Sequence, residues 1–190
     1  MKRIAIFASG SGSNAENIAH YFSNDPDVSV TLILTNNPNA FVLERAKKLG
    51  IKSILFEKED FLKTDKILHF LIKNDIKLIV LAGFLLKMPK NLIKAFPHKI
   101  INIHPALLPK YGGQGMYGDK VHEAVITAHE KESGITIHYV NEHYDEGEII
   151  FQAKCPVTPT DTADDVANKV HALEYEYFPG VIRQVLSKTI

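Results

Sequence analysis

An apolar run in the middle of the chain ends with two side chains that could transfer a proton and stabilise an oxyanion. The run covers residues 100–104, contains Asn102 and His104, and stops at Pro105. Side chains alternate between the two faces of a strand, so Asn102 and His104 would lie on the same face. Pro105 prevents the strand from continuing. An amide donor beside an imidazole is suited to stabilising an oxyanion and moving a proton. The stretch therefore predicts chemistry at a strand end, and a solvated polar face is the plainer alternative.

A carboxylate could complete this pair. Asp145 lies between Tyr144 and Gly147 in a segment whose composition is typical of a turn. A carboxylate close to an imidazole favours the charged imidazolium, so Asp145 would raise the pKa of His104. Aspartates in turns more often cap the backbone or stay solvated, and the turn alone leaves that alternative open.

A glycine loop near the N-terminus is the second candidate for chemistry. Residues 9–14 read Ser-Gly-Ser-Gly-Ser-Asn and lie between an apolar run and a helical pattern that begins at Ala15. Glycines let the backbone approach an anion closely, and the helix start offers N–H groups. Gly10, Gly12 and Ala15 also fit a dinucleotide fingerprint, but Thr35 and two asparagines stand where an acidic residue should close the second strand. A single phosphate is therefore the favoured ligand, and a tight turn without a ligand is the alternative.

Strands that alternate with helices would position these candidate residues. Apolar runs predict strands at residues 3–8, 28–34, 52–56, 77–82 and 100–104, and 3.6-residue periodicity predicts helices between most of them. One of these helices would be capped by Asp60 and bury Leu62, Ile67, Leu68, Leu71 and Ile72. Residues 133–140 and 148–154 resemble a hairpin, and residues 161–164 would cap a long final helix. The pattern predicts an α/β, Rossmann-like three-layer fold with a mainly parallel sheet and an antiparallel C-terminal portion.

Composition limits the partners. A chain of 190 residues with 45% hydrophobic content is expected to form a single domain over residues 1–190. Lysine and arginine total 22, and aspartate and glutamate also total 22, so no basic excess favours nucleic acid or an anionic membrane. The single Cys155 and the absence of a targeting segment favour a cytoplasmic protein. The nine histidines are scattered, and His138 and His143 lack metal-site spacing, so no metal is expected.

Together these residues resemble the phosphoribosylglycinamide formyltransferases, a family of folate-dependent formyltransferases. The resemblance rests on residues 102–111, the loop at residues 9–14, residues 81–84 and Asp145, and it runs in order along nearly the whole chain. It implies an enzyme of purine biosynthesis that moves a formyl group from 10-formyltetrahydrofolate, its co-substrate, to the amine of N1-(5-phospho-D-ribosyl)glycinamide. Asn102 and His104 would stabilise the tetrahedral intermediate, and Asp145 would raise the pKa of His104.

The resemblance also assigns binding residues, and the chain departs from the family in two places. The residues that match the ribonucleotide site are Ser11, Gly12, Ser13, Asn14, His171 and Glu174. Those that match the folate site are Leu85, Leu86, Lys87, Met88, Asn141, Glu142, His143 and Tyr144. Leu86 stands where many members have arginine, which changes the polarity expected of the pterin pocket. The glycine-rich loop at residues 112–120 is longer than in the shorter bacterial members, and we expect the loop from Tyr111 to Lys120 to cover the substrates as a lid.

Two other functions would explain parts of the sequence. A formyltransferase that acts on initiator tRNA shares the central block, but such enzymes have a further C-terminal domain, and the balanced charge disfavours tRNA. A nucleotide-binding module without catalysis would explain the loop and the sheet but would not need Asn102, His104 and Asp145 together. We therefore expect small-molecule substrates, no nucleic-acid or membrane partner, and a monomer or homodimer.

Overall fold

Buried apolar segments become the strands of a single sheet. The computed structural model describes residues 1–188, and its strands have nearly the predicted boundaries. They are β1 (Lys2–Phe7), β2 (Val28–Thr35), β3 (Lys52–Leu55), β4 (Ile76–Leu81), β5 (Ile100–His104), β6 (Glu132–Tyr139) and β7 (Ile149–Pro156).

Helices follow most of these strands. They are α1 (Ser13–Tyr21), α2 (Val42–Lys48), α3 (Lys58–Lys63), α4 (Lys66–Lys73), α5 (Lys90–Ala95), α6 (Asp119–Thr127) and α7 (Ala163–Lys188). Within the described part of the chain, none of them is both long enough and apolar enough to cross a membrane.

The strands hydrogen-bond in the order β3-β2-β1-β4-β5-β6-β7. β1 pairs in parallel with β2 and β4, and β2 pairs in parallel with β3. β6 and β7 are antiparallel, with Ile135 opposite Ala153. The predicted Rossmann-like α/β fold, mainly parallel with an antiparallel C-terminal portion, is therefore confirmed.

Packing divides the chain into two compact units. The first contains Met1–Ile101 and residues 186–188, and the second contains Asn102–Val185. The boundary falls inside β5, immediately before Asn102. The predicted chemical residues Asn102, His104 and Asp145 therefore all belong to the second unit. The expectation of a single domain stays a prediction.

The helix predicted to begin at Asp60 is in fact two short helices. Thr64 is extended between α3 and α4, and its hydroxyl accepts a hydrogen bond from the Lys66 N–H (3.2 Å). Asp60 lies inside α3 and binds the Lys66 ammonium at 2.8 Å instead of capping a helix. The break changes the helical phase at Leu62, which is exposed. Within α4, Ile67 and Leu71 are buried as predicted, whereas Leu68 is half-buried and Ile72, next to Leu71, is exposed.

The final helix begins with a reciprocal cap. The Asp165 N–H donates to Thr162 Oγ1 (3.2 Å), and the Thr162 N–H donates to Asp165 Oδ2 (2.9 Å). This is a capping-box arrangement. Asp161, which also fell within the predicted cap, instead binds the Lys169 ammonium at 2.5 Å.

Candidate active site

Asp145 is the centre of a cluster of polar groups in the second unit. Its Oδ1 lies 3.4 Å from Asn102 Nδ2 and 3.6 Å from His138 Nε2. Its Oδ2 lies 3.6 Å from His104 Nδ1 and accepts the Gly113 N–H at 2.9 Å. Asn102 and His104 therefore point to the same face of β5, as strand alternation predicts.

His138 holds the Asn102 amide in place. Its Nδ1 lies 2.9 Å from the Tyr139 carbonyl oxygen, which can only accept, so Nδ1 carries the proton. The other nitrogen of the neutral ring is then an acceptor, and Asn102 Nδ2 donates to it at 3.1 Å. The same amide nitrogen makes the longer 3.4 Å contact with Asp145. The amide is therefore fixed more firmly by the imidazole than by the carboxylate.

His104 is buried between two acceptors. Its Nε2 donates to the Tyr111 carbonyl oxygen at 2.7 Å, and its Nδ1 faces Asp145. Burial lowers the pKa of His104 below its ordinary value, although the Asp145 charge and the Tyr111 carbonyl act in the opposite direction. Asp145 thus acts in the predicted direction, but the net pKa shift is downward because the cost of burying the imidazolium is larger.

The Asp145 carboxylate is kept ionised by its neighbours. Burial alone would raise the pKa of Asp145, but the charged forms of the His138 and His104 imidazoles and the Gly113 N–H together lower it. Asp145 has a positive φ of 55°, a conformation that aspartate tolerates better than most residues. Gly147 ends the same turn, and a Cβ there would lie 1.6 Å from the Tyr139 carbonyl oxygen. The turn therefore requires glycine at this position.

A buried hydroxyl fixes the chain that follows His104. Thr136, on β6, is fully buried; its hydroxyl donates to the Ala106 carbonyl (2.6 Å) and accepts the Leu108 N–H (3.0 Å). Gln152 donates to the same hydroxyl at 2.9 Å. These bonds hold the segment that leads to Tyr111, whose carbonyl contacts His104.

The glycine loop belongs to the first unit, where its carbonyl oxygens are bound by other parts of that unit. Ser9 O accepts from Asn37 Nδ2 (3.1 Å), Gly10 O from Val42 N (3.2 Å), Ser11 O from Arg45 Nε (2.9 Å) and Gly12 O from Glu16 N (3.0 Å). Because these four carbonyls are bound to protein donors, the loop is suited to present N–H groups to an anion.

Gly12 is the residue of the loop that cannot be replaced without strain. Its φ is 74°, and a Cβ there would lie 2.3 Å from Val42 Cγ2. The Ser11 and Ser13 hydroxyls are 3.5 Å apart, and Asn14 is buried in the first turn of α1. The predicted phosphate residues are therefore adjacent at the start of one helix.

The segment after β4 meets this loop inside the first unit. The Ser9 N–H donates to the Gly83 carbonyl (3.0 Å), and the Leu85 N–H donates to Ser9 Oγ (3.2 Å). Leu85 is 50% exposed, whereas Met88 is buried. Of the residues 85–88 predicted for folate, Leu85 thus offers apolar surface, whereas Met88 belongs to the core.

The other segment predicted for folate is the beginning of the turn before Asp145. Asn141 Oδ1 accepts the His143 N–H at 2.8 Å, which makes a local side-chain turn. Asn141, Glu142 and Tyr144 are half-buried, and His143 is exposed. The segment therefore offers a fixed backbone and mixed polar side chains next to the Asp145 cluster.

α7 carries the two remaining predicted residues. His171 Nδ1 lies 3.0 Å from Glu174 Oε2, and this hydrogen bond raises the pKa of His171. Glu174 is buried, whereas His171 is partly exposed. The ring of His122, on α6, contacts His171 edge to face with 6.5 Å between centroids. No group of three or more His, Cys, Asp or Glu in residues 1–188 is arranged to hold a metal ion.

Three polar groups that contact the predicted site residues escaped the sequence-based prediction. The scattered histidines bring His138 to notice only as a possible metal ligand, although Thr136 and His138 alternate with Ile135 and Ile137 and so share a face of β6. His122 lies on the buried stripe of α6, which a helical pattern could have indicated. The Tyr111 carbonyl carries no sequence signal, because a backbone group is the same in every residue.

Comparison with known proteins identifies the family. Residues 2–182 match the family model described as formyl transferase. Phosphoribosylglycinamide formyltransferase from Bacillus subtilis is 37% identical, with 98% of this chain and 95% of that protein covered. The chloroplastic enzyme of the same name from Arabidopsis thaliana is 38% identical, with 100% of this chain and 67% of that protein covered. A crystal structure of phosphoribosylglycinamide formyltransferase from Anaplasma phagocytophilum has a TM-score of 0.89 at 34% identity, with 98% of this chain and 87% of that chain covered. The chain therefore belongs to the formyl transferase family and, within it, to the phosphoribosylglycinamide formyltransferases.

Proposed function

We propose that the protein transfers the formyl group of 10-formyltetrahydrofolate to the amine of N1-(5-phospho-D-ribosyl)glycinamide, a step of de novo purine biosynthesis. The observation that carries the proposal is the Asp145 carboxylate, which lies within 3.6 Å of His104 and His138 and beside Asn102. Family membership supports formyl transfer as the reaction class. The cluster supplies an amide donor, an imidazole and a carboxylate for it.

The reaction needs hydrogen-bond donors at the formyl oxygen and a route for a proton. A bond forms between the formyl carbon and the substrate amine, and the bond from that carbon to the folate nitrogen breaks. The amine loses a proton, the folate nitrogen gains one, and negative charge develops on the formyl oxygen in between. Asn102 Nδ2 can donate to this oxygen by giving up its 3.4 Å contact with Asp145, the weaker of its two contacts.

His104 is the second donor and the proton carrier. Its Nε2 proton is bound to the Tyr111 carbonyl, so donation to a substrate requires that this bond be exchanged. The negative charge that develops on the formyl oxygen favours a protonated ring, and Asp145, on the opposite side of the ring, stabilises this imidazolium. Residues 111–120 would therefore move as the substrates bind, and in the closed position they would form a lid that excludes water.

The ribonucleotide is assigned to two places. The Ser11–Asn14 segment would take the phosphate, since the loop carbonyls are bound to protein donors and the α1 start offers N–H groups. His171 and Glu174 would contact the rest of the ribonucleotide through a pair that combines donor and acceptor. The support for these roles is the match to the family's positions together with this local chemistry.

The folate is assigned to Leu85–Met88 and Asn141–Tyr144. Leu85 supplies exposed apolar surface for an aromatic ring, and the fixed backbone turn at Asn141 supplies polar groups. Leu86 replaces the arginine of many relatives, and its side chain has no hydrogen-bond donor. Backbone groups would therefore make more of the hydrogen bonds to the pterin ring of the folate. The folate supplies the activated formyl group.

A spectroscopic assay of folate product formation tests the proposal. The wild type should form product only when both substrates are present, and His104→Asn should reduce the rate at least about a hundredfold. A parallel reaction without the ribonucleotide measures hydrolysis by water. Product formation that does not depend on the ribonucleotide would identify a hydrolase and reject the proposal. A cytoplasmic location, small-molecule partners alone, and a monomeric or homodimeric state also stay predictions.

A further inference from the structure

One buried imidazole of the second unit has a ring nitrogen without a protein partner. His122 is 2% exposed and lies with Val121 and Val125 on the buried face of α6. Its Nδ1 makes no hydrogen bond with any group in residues 1–188. Buried polar atoms are almost always paired, because an unpaired one loses its hydrogen bond to water and gains nothing in return. Because the His122 ring contacts His171, a residue predicted to bind the ribonucleotide, a ligand bound there can supply the missing partner.

The surroundings of His122 narrow the kind of partner. Its ring contacts His171 edge to face at 64°, and His171 is hydrogen-bonded to the buried Glu174. Burial, and after it the neighbouring His171, lowers the pKa of His122, which favours the neutral ring. A neutral imidazole nitrogen pairs well with a hydroxyl, which can donate or accept, and poorly with a phosphate, which prefers a cation.

We propose that His122 is a further ribonucleotide-binding residue whose Nδ1 forms a hydrogen bond with a ribose hydroxyl. The proposal rests on the proposed function, which assigns the adjacent His171 and Glu174 to the same ligand. It adds a third residue, on a different helix, to that part of the site. His122 acts here on binding and not on the chemistry of formyl transfer.

Three substitutions separate the two ring nitrogens. His122→Asn places an amide near the position of Nδ1, His122→Gln reaches toward the position of Nε2, and His122→Leu removes both. Calorimetric titration should show about tenfold weaker ribonucleotide binding for the leucine and glutamine variants, as expected for one lost hydrogen bond. The asparagine variant should stay within about threefold of the wild type. The affinity for the folate should be the same in all of them.

Thermal unfolding of the free protein distinguishes binding from structural support. His122→Leu removes an unpaired buried polar atom, so its melting temperature should be equal to or higher than that of the wild type. Val125→Ala, on the same buried face of α6, is the matched control. It should lower the melting temperature by opening a cavity and leave ribonucleotide affinity unchanged. Weaker binding without lower stability is a combination that a merely structural role would not produce.

The proposed hydrogen bond can also be tested in the wild-type protein, without any substitution. Nitrogen-15 NMR of the wild type should show a shift of the His122 Nδ1 signal when the ribonucleotide is added. An unmoved signal, equal affinity in His122→Leu, or rescue by glutamine and not by asparagine would each overturn the proposal. A wild type that does not bind the ribonucleotide would overturn the proposed function as well, so the two failures are distinguishable.

Discussion

Replacing Asp145 by asparagine removes a charge from the centre of the cluster and keeps the size of the side chain. The charge faces His104 Nδ1 at 3.6 Å, so its loss should make the imidazolium less stable. The pKa of His104, which burial already lowers, should then fall further. If the protonated ring stabilises the formyl oxygen, activity is lost as pH rises through this pKa. The alkaline limb of the pH–rate profile should therefore move to lower pH in Asp145→Asn.

The distance sets the size of the movement. Coulomb's law at this separation gives about 1 kcal/mol in water and roughly 4–5 kcal/mol at an effective dielectric constant of about 20. The Asp145 side chain is only 13% exposed, which favours the upper part of this range. Since 1.36 kcal/mol corresponds to one pKa unit, the limb should move by about 1 to 3 pH units. The value of kcat should fall by roughly 10²–10⁴, the usual contribution of acid–base assistance.

The measurement is the pH dependence of kcat with saturating substrates, for the wild type and for two variants. Asp161→Asn is the matched control, because Asp161 is a carboxylate of the same unit with 12% exposure and an ion pair of its own, with Lys169. The control should leave the alkaline limb in place. The substrate amine must be neutral to react, and this requirement shapes the acid limb in all three proteins alike.

Two results would contradict this reasoning. An Asp145→Asn protein with near-normal kcat and an unmoved alkaline limb would make Asp145 a turn residue without a role in catalysis. Equal movement of the limb in Asp161→Asn would show that any lost carboxylate has the effect. The asparagine also loses one of the two acceptor oxygens that face Asn102 and Gly113. That loss can lower the rate, but it has no reason to shift the limb.

Three further predictions concern the glycine loop, the lid and the histidines. Gly10→Val has open space and should weaken ribonucleotide binding without weakening folate binding in calorimetry, whereas Gly12→Val should unfold at lower temperature because its side chain would overlap α2. Equal losses for both ligands with Gly10→Val would reject the loop assignment. Proteolytic cleavage within residues 111–120 should slow when both substrates are present, and unchanged cleavage would argue against a lid. Burial lowers the pKa of both His104 and His122, so these groups take up protons on unfolding at low pH. The contribution of these two groups to stability should therefore be full above about pH 6.5 and be lost below it, opposite to the contribution of His171, whose pKa is raised. Urea unfolding should show a smaller loss of stability on acidification in His122→Leu than in the wild type, and identical profiles would contradict this sign.

Local patterns were sufficient for the parts of the site that lie on regular strands. Alternation along β5 placed Asn102 and His104 on one face, because successive side chains of a strand must point to opposite sides. Two runs separated by a turn rich in polar residues predicted the antiparallel β6–β7 pair. The glycine pattern predicted the strand–loop–helix start at Gly10, because few other residues accept such a loop. In each case the physical rule acts over only a few residues.

Short helices were not predictable in the same way. α5 has six residues, of which Leu92 is buried, and so few positions give no readable period. At the break between α3 and α4, the Thr64 hydroxyl accepts the Lys66 N–H and donates to the Asp60 carbonyl oxygen. Helices of this length are stabilised mainly by tertiary packing, which the local sequence does not reveal. Asp60 was therefore assigned to a cap when it is part of an ion pair.

The pKa of His104 could not be predicted from sequence patterns, because it depends on groups that the local sequence does not reveal. Burial lowers its pKa, Asp145 raises it, and the Tyr111 carbonyl holds the Nε2 proton from the other side. The carbonyl is a neutral acceptor, and a formyl oxygen that gains negative charge would be a stronger one. When the hydrogen bond from His104 moves from the Tyr111 carbonyl to the formyl oxygen, the pKa of His104 should rise as the negative charge develops. In the free protein the buried ring would then stay neutral, and the charged form would become favourable only with substrate bound. This coupling depends on a backbone group of residue 111, on the depth of burial and on a carboxylate 41 residues along the chain from His104, and only the carboxylate is visible in the sequence.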